Sequence, residues 1–148
     1  MYNKLSYNIF YDPIIINDIF PTNPFNLHKD YKVYKLDSIN VQKLAIDIAT
    51  TIIKYIDITS SNSTFNILYT NSINSIVVCY AKIRIKDENT NKGKTYGYRC
   101  IVLIDKFYKR IFLLHLYKHS KGVDNLTINE KKVLQTIVDE YHNEILNQ

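Results

Sequence analysis

Two hydrophobic periods alternate along this chain. Over residues 39–58 the apolar positions Val41, Leu44, Ala45, Ile48, Ile52, Tyr55 and Ile56 recur at three- and four-residue spacing, the stripe of one helix face. Ser38 or Asn40 is suited to cap its start. From residue 64 the period drops to two, and strands are expected over 64–70, 74–86, 96–105 and 110–118. In 74–86 the odd positions Val77, Cys79, Ala81, Ile83 and Ile85 make a core face. The even positions pass from Ile76 and Val78 through Tyr80 to Lys82, Arg84 and Lys86. The strands at 96–105 and 110–118 are apolar on both faces for part of their length, which places them centrally with cover on each side. Asp105 to Lys109 is short enough for an antiparallel hairpin between them.

The last helix carries its own start signal. Thr127-Ile128-Asn129-Glu130 is a capping box, in which the Thr hydroxyl and the Glu carboxylate each serve the other's backbone N–H. Val133, Leu134, Ile137, Val138, Tyr141 and Ile145 then form one apolar face. The first 36 residues are less regular, broken by Pro13, Pro21 and Pro24. Short strands are expected near 5–11 and 32–36, with a loop over 21–30. Residues 60–63 and 87–95 read as polar loops. These elements predict an α+β fold, an antiparallel β-sheet meander with packed helices. No linker splits the chain, so 1–148 is read as a single domain, with 1–36 an N-terminal extension and 37–148 the core.

Composition narrows the function classes. The chain has 148 residues, 46% hydrophobic and 22% charged, enough for one core. With three glycines and no G-x-G-x-x-G or G-x-x-x-x-G-K-[ST], a glycine-rich phosphate loop is excluded. No apolar run is long enough for a membrane helix, so no membrane partner is expected. The opening Met1-Tyr2-Asn3-Lys4 lacks a signal-peptide pattern, and a cytoplasmic protein is expected. Cys79 and Cys100 read as buried free thiols, too few for a four-cysteine zinc site. The four histidines show no H-E-x-x-H motif, so no metal site and no cofactor is assigned.

Charge changes the picture more. The net charge of +5 is concentrated: residues 80–122 carry eleven Lys or Arg against Asp87, Glu88 and Asp105, a net +8. Such a stretch is the footprint of a polyanion partner, acting through counterion release, although a solvated Lys-rich face gives the same pattern. The residues able to do chemistry are Lys82, Arg84, Lys86, Arg99 and Lys118, which a meander of neighbouring strands could bring to one face. They can hold phosphate oxygens or stabilise a phosphorane-like transition state. Tyr98, Tyr117 and His119 lie close to them in sequence. Aromatics there can stack on unpaired bases, but a strand Tyr, including Tyr80, reads first as sheet packing. His115 reads as a core or half-exposed histidine, and His28 and His142 have no suggestive neighbours. Lys106, Lys109 and Arg110 read as solvated hairpin residues.

The segments Cys79-Tyr80-Ala81-Lys82-Ile83-Arg84-Ile85-Lys86, Gly97-Tyr98-Arg99-Cys100-Ile101-Val102 and Arg110 to Lys118 resemble the RelE/HigB superfamily of ribosome-associated mRNA-cleaving toxins. The tail Tyr117-Lys118-His119-Ser120-Lys121, leading into a C-terminal helix, is most similar to the HigB-type branch. The resemblance implies a RelE-like fold and a metal-independent endoribonuclease, acting on mRNA at the ribosome and neutralised by a cognate antitoxin. It implies that Lys82 and Arg84 contact phosphate or base and that Arg99 stabilises the transition state. Lys118 would hold phosphate or act as an acid. His119 is a further catalytic candidate from its position between Lys118 and Ser120, not from the resemblance. Lys86, Tyr98, Tyr117 and Lys121 would then bind RNA. The alternative class is a non-enzymatic inhibitor or immunity-type protein that uses a basic sheet face to hold nucleic acid or a protein. The oligomeric state is left open.

Overall fold

The computed structural model describes residues 7–58, 62–86, 97–118 and 126–148. In chain order its elements are β1 (Asn8–Phe10), α1 (Pro13–Ile19), α2 (Leu27–Val33), α3 (Ser38–Tyr55), β2 (Phe65–Ile73), β3 (Ile76–Ile85), β4 (Tyr98–Asp105), β5 (Arg110–Lys118) and α4 (Ile128–Leu146). The strands form one five-stranded sheet in the order β1-β5-β4-β3-β2. From β2 to β5 it is the antiparallel meander that the alternating pattern predicts. The expectation of a wholly antiparallel sheet is corrected at β1, which pairs parallel to β5. The chain between them, three helices and three strands long, supplies the crossover that a parallel pair needs.

β4 is buried at every position, and α3 and α4 pack on opposite faces of the sheet. Tyr55 of α3 stacks on Phe65 of β2, 6.4 Å between centroids. Asp139 of α4 accepts hydrogen bonds from Tyr69 Oη and Asn71 Nδ2 of the same strand. Phe65 pairs with Ile83 and Tyr69 with Tyr80, positions of opposite parity on β3, so the two helices lie on different sides. The apolar-on-both-faces pattern of β4 and β5 is the sequence trace of this arrangement.

The N-terminal third departs most from its sequence reading. Residues 32–36 are not a strand: α2 runs to Val33, and Lys35 turns the chain at φ 54°. Helix α2 also begins inside the expected loop, at Leu27, because Asn26 caps it by accepting from Lys29 N. Pro13 opens α1 rather than breaking structure, since a proline at a first helical turn forfeits no intrahelical bond. The cap of α3 is Asp37, whose Oδ1 accepts from Asn40 N at 2.8 Å, in place of Ser38 or Asn40. Ile16, Phe20, Leu27 and Tyr31 lie in the same buried cluster as the strand side chains.

Helix α2 and the residues before it seal an edge. β1 pairs with β5 only through residues 110–112, so among the described residues the outer side of β5 beyond that point has no strand partner. Side chains take its place: Asn23 Nδ2 donates to Leu114 O at 3.1 Å, Leu116 N donates to Asp30 Oδ2 at 3.0 Å, and Lys118 N donates to Tyr34 Oη at 2.9 Å. Each would otherwise be a buried or half-buried orphan on the sheet rim.

The capping box of α4 forms as its spacing indicates, with Glu130 N to Thr127 Oγ1 at 3.1 Å and Thr127 N to Glu130 Oε1 at 2.8 Å. Among the described residues no helix is long and apolar enough to cross a membrane.

Candidate nucleic-acid interface

Pairing register decides which basic side chains share a face, because directly opposed residues of an antiparallel ladder project to the same side. Arg84 of β3 opposes Arg99 of β4, and Arg99 opposes Tyr117 of β5. One step further along, Lys82 opposes Ile101, and Ile101 opposes His115. Two adjacent rows, Arg84–Arg99–Tyr117 and Lys82–Ile101–His115, therefore lie on one face of the sheet. The meander brings Lys82, Arg84 and Arg99 together, as the strand parity allows.

Lys118 is not among them. It pairs with Tyr98, on the opposite face. There its Nζ lies 5.0 Å from the centre of the Tyr98 ring and 5.7 Å from that of Tyr34, while Tyr34 meets Tyr98 edge-on at 5.6 Å. Lys118 and Tyr98 are thus engaged in packing α2 against the sheet, by cation–π contact on the side away from Arg84 and Arg99. Lys86 follows the end of β3, exposed, beside Asp47, Thr50 and Thr51 of α3. His119 and Lys121 lie outside the described residues.

The members of the shared face differ in access. Lys82, Arg84, His115 and Tyr117 are half-buried, whereas Arg99 is 1% exposed, its Nη1 donating to Gly97 O at 3.3 Å. Arg84 N donates to Thr64 O on the β2 side. The Arg84–Arg99 pair is therefore of the non-hydrogen-bonded kind, with Cα atoms about 4.5 Å apart and the side chains at their closest. Arg84 Nε is enclosed and has no hydrogen-bond partner among the described residues.

His115 is the residue that the sequence undervalues. Its Nδ1 lies 2.8 Å from Asp30 Oδ2, and its ring stacks on Phe25 at 3.9 Å and on Tyr117 at 4.9 Å. A carboxylate on Nδ1 fixes the tautomer with the proton there and leaves Nε2 as a proton acceptor. Asp30 and His115 are 85 positions apart, and no local motif links them.

The remaining candidates are structural. Tyr80 is core. Cys79 and Cys100 are buried, and burial pushes both thiols up, Cys79 to about 12, so neither is a thiolate nucleophile at neutral pH. His142, on the buried face of α4, is fully enclosed, and its Nε2 donates to Ile76 O at 2.9 Å. Arg110 is half-buried rather than a freely solvated hairpin residue: its guanidinium lies 4.5 Å over the Tyr108 ring and 3.5 Å from Tyr141 Oη. Among the described residues no group of three or more His, Cys, Asp or Glu is placed to hold a metal ion. No protein-family model, curated protein or solved structure matches the chain, and the geometry of this sheet end is what bears on its function.

Proposed function

We propose that the chain is an RNA-binding endoribonuclease that works without a metal ion, on the face carrying Lys82, Arg84, Arg99, His115 and Tyr117. The observation that carries this reading is the Asp30–His115 pair, standing one row from the Arg84–Arg99 pair. His115 Nε2 takes the proton of a ribose 2′-hydroxyl, and that oxygen attacks the adjacent phosphorus. The 2′-O–P bond forms, the P–5′-O bond breaks, and the departing 5′-oxygen takes a proton from solvent. The products are a 2′,3′-cyclic phosphate and a 5′-hydroxyl. Arg84 and Lys82 hold the phosphate and the charge that builds on it. Tyr117 offers a ring for base stacking. The resemblance to RelE/HigB toxins extends the proposal to mRNA on the ribosome as substrate and a cognate antitoxin as inhibitor.

One observation favours a second reading, binding without cleavage. Arg99 is nearly sealed and Lys118 is on the other face, so the full basic set does not surround a single phosphate. One experiment separates the two. Single-stranded RNA is incubated with the protein in excess chelator, and 5′ ends and cyclic phosphates are mapped, beside His115→Ala, Arg84→Ala and Tyr34→Phe. Cleavage lost with His115→Ala and kept with Tyr34→Phe, which disturbs α2 without touching His115, supports the nuclease. Salt-sensitive binding with no new ends supports the binder. Neither binding nor cleavage, including with ribosome-bound mRNA, sinks both.

A further inference from the structure

The opposite border of the sheet is built differently from the sealed β5 edge. β2 is the terminal strand, and among the described residues nothing pairs with its outer side. Edge strands are commonly protected by charged side chains, by proline or by a bulge. β2 reads Phe65-Asn66-Ile67-Leu68-Tyr69-Thr70-Asn71-Ser72-Ile73, with no charged residue and no proline. Its single bulge lies between Ile67 and Tyr69. Before the bulge the rim is closed, since Asn62 N donates to Phe65 O and Phe65 N donates to Asn62 Oδ1. After it, Tyr69 to Ile73 runs as five regular strand residues to the Asn74–Ser75 turn, where both residues have positive φ.

The backbone groups that face outward follow from that turn. Ile73 and Ile76 flank a two-residue turn, so their N–H and C=O groups point at each other. By alternation Asn71 and Tyr69 also face β3, while Thr70 and Ser72 present theirs outward. Thr70 and Ser72 are both exposed, and Ile73 is 50% exposed.

From this edge we infer that two copies of the chain join through antiparallel β2–β2 pairing about a two-fold axis at Asn71, making one continuous sheet. The edge is self-complementary in the sense a two-fold demands. Thr70 of one copy meets Ser72 of the other, twice, giving four backbone hydrogen bonds between groups that have no strand partner among the described residues. On the face bearing α4, Tyr69 of each copy covers the exposed Ile73 of the other, an aromatic to β-branched cross-strand pair. β2 itself puts no charged side chain at the axis, and the Asp139 carboxylate beside it is engaged in each copy by Tyr69 Oη and Asn71 Nδ2. A second copy therefore fits this rim better than a charged peptide, for which β2 offers no counter-charge. The inference is independent of the nuclease proposal.

Sedimentation velocity over a concentration series tests it, with the full chain in low and high salt. A monomer–dimer equilibrium that persists in high salt is expected. Ser72→Pro removes only an outward-facing N–H, so it leaves the β2–β3 ladder intact and shifts the protein to monomer with an unchanged circular dichroism spectrum. Asn71→Cys places two thiols across the axis at a non-hydrogen-bonded pair, where Cα atoms approach to about 4.5 Å, and mild oxidation links the dimer. The native Cys79 and Cys100 are buried and do not compete. A chain that stays monomeric at every concentration overturns the inference. So does a dimer that survives Ser72→Pro, or one that Asn71→Cys fails to link, because either means that another surface is used.

Discussion

Arg84 and Arg99 face each other across β3 and β4 with no residue between them. Directly opposed like charges on a sheet face work against stability by roughly 0.2–1 kcal/mol. The proposed ligand role of the pair and this cost to the fold can be separated. Arg84→Leu keeps a side chain able to pack beside Ile101 and removes the repulsion. Urea unfolding should show equal or higher stability, by about 0.5 kcal/mol. Single-stranded RNA affinity, read by fluorescence anisotropy, should fall several-fold, and its salt dependence should flatten by close to one phosphate contact. A loss of stability with unchanged RNA affinity would reverse the assignment of Arg84 from ligand contact to fold element.

The sealed β5 edge makes a second, graded prediction. Tyr34→Phe leaves Lys118 N without its acceptor on a half-buried rim, at a cost of about 1 kcal/mol. Asp30→Ala strips both Leu116 N and His115 Nδ1 of the same oxygen, at about 2–3 kcal/mol. Native-state hydrogen exchange reads the two directly: the Lys118 amide should accelerate in the first variant and the Leu116 amide in the second. Equal protection in all three proteins would mean that the edge is held by packing alone.

Legibility from sequence followed the locality of the signal. α3, the strands of the meander and α4 rest on periodicity and on one capping box, and each is a property of neighbouring residues. Helices α1 and α2 are seven residues each, too short to show a period, and their prolines and asparagines read as breakers when they are in fact starters and caps. The grouping of Lys82, Arg84 and Arg99 was within reach of parity once the strands were taken as neighbours. The exclusion of Lys118 was not, because a register shift between Ile101 and Val102 on β4 changes which side of β5 faces which residue. Asp30 and His115 meet only because α2 closes an edge, a tertiary event with no trace in either segment.

The β4–β5 turn should depend on one phenol. Asp105 is fully buried, and its Oδ1 accepts from Phe107 N at 2.8 Å and Tyr108 N at 3.0 Å, fixing the turn. Its Oδ2 accepts from Tyr141 Oη at 2.7 Å. Burial, with this bond to a carboxylate, raises the Tyr141 phenol above its ordinary range. Tyr141→Phe leaves the buried oxygen short of a donor and should cost about 1–3 kcal/mol in urea unfolding, with α4 still helical. Asp105→Asn keeps an acceptor for the turn and should cost less than Asp105→Ala. Indistinguishable stabilities for the two Asp105 variants would place the turn's rigidity elsewhere, in the positive φ of Lys109.

Alkaline pH should weaken this fold before it weakens the individual hydrogen bonds. Burial raises the Cys79 thiol from 9.0 to about 12, and burial with the nearby Asp57 carboxylate raises the Tyr7 phenol from 10.0 to about 12. Cys100, Tyr31 and Tyr141 move in the same direction, chiefly by burial. Each is an acid whose folded form holds its proton longer than the unfolded form does. Below pH 9 both states are protonated at Cys79, and its contribution is complete. Between 9.0 and about 12 the unfolded chain loses the thiol proton while the folded chain keeps it, so the folded state binds more protons and stability falls with rising pH. Urea midpoints measured upward from neutral pH should be level to about pH 9 and then decline. Cys79→Ala should make the decline shallower while lowering the neutral-pH plateau through the lost packing. The same burial predicts that neither thiol reacts with a disulfide reagent at pH 8 faster than the chain opens. Rapid labelling of the native protein, or stability that stays level through pH 11, would show that Cys79 and Cys100 are not held in the core as the sheet places them.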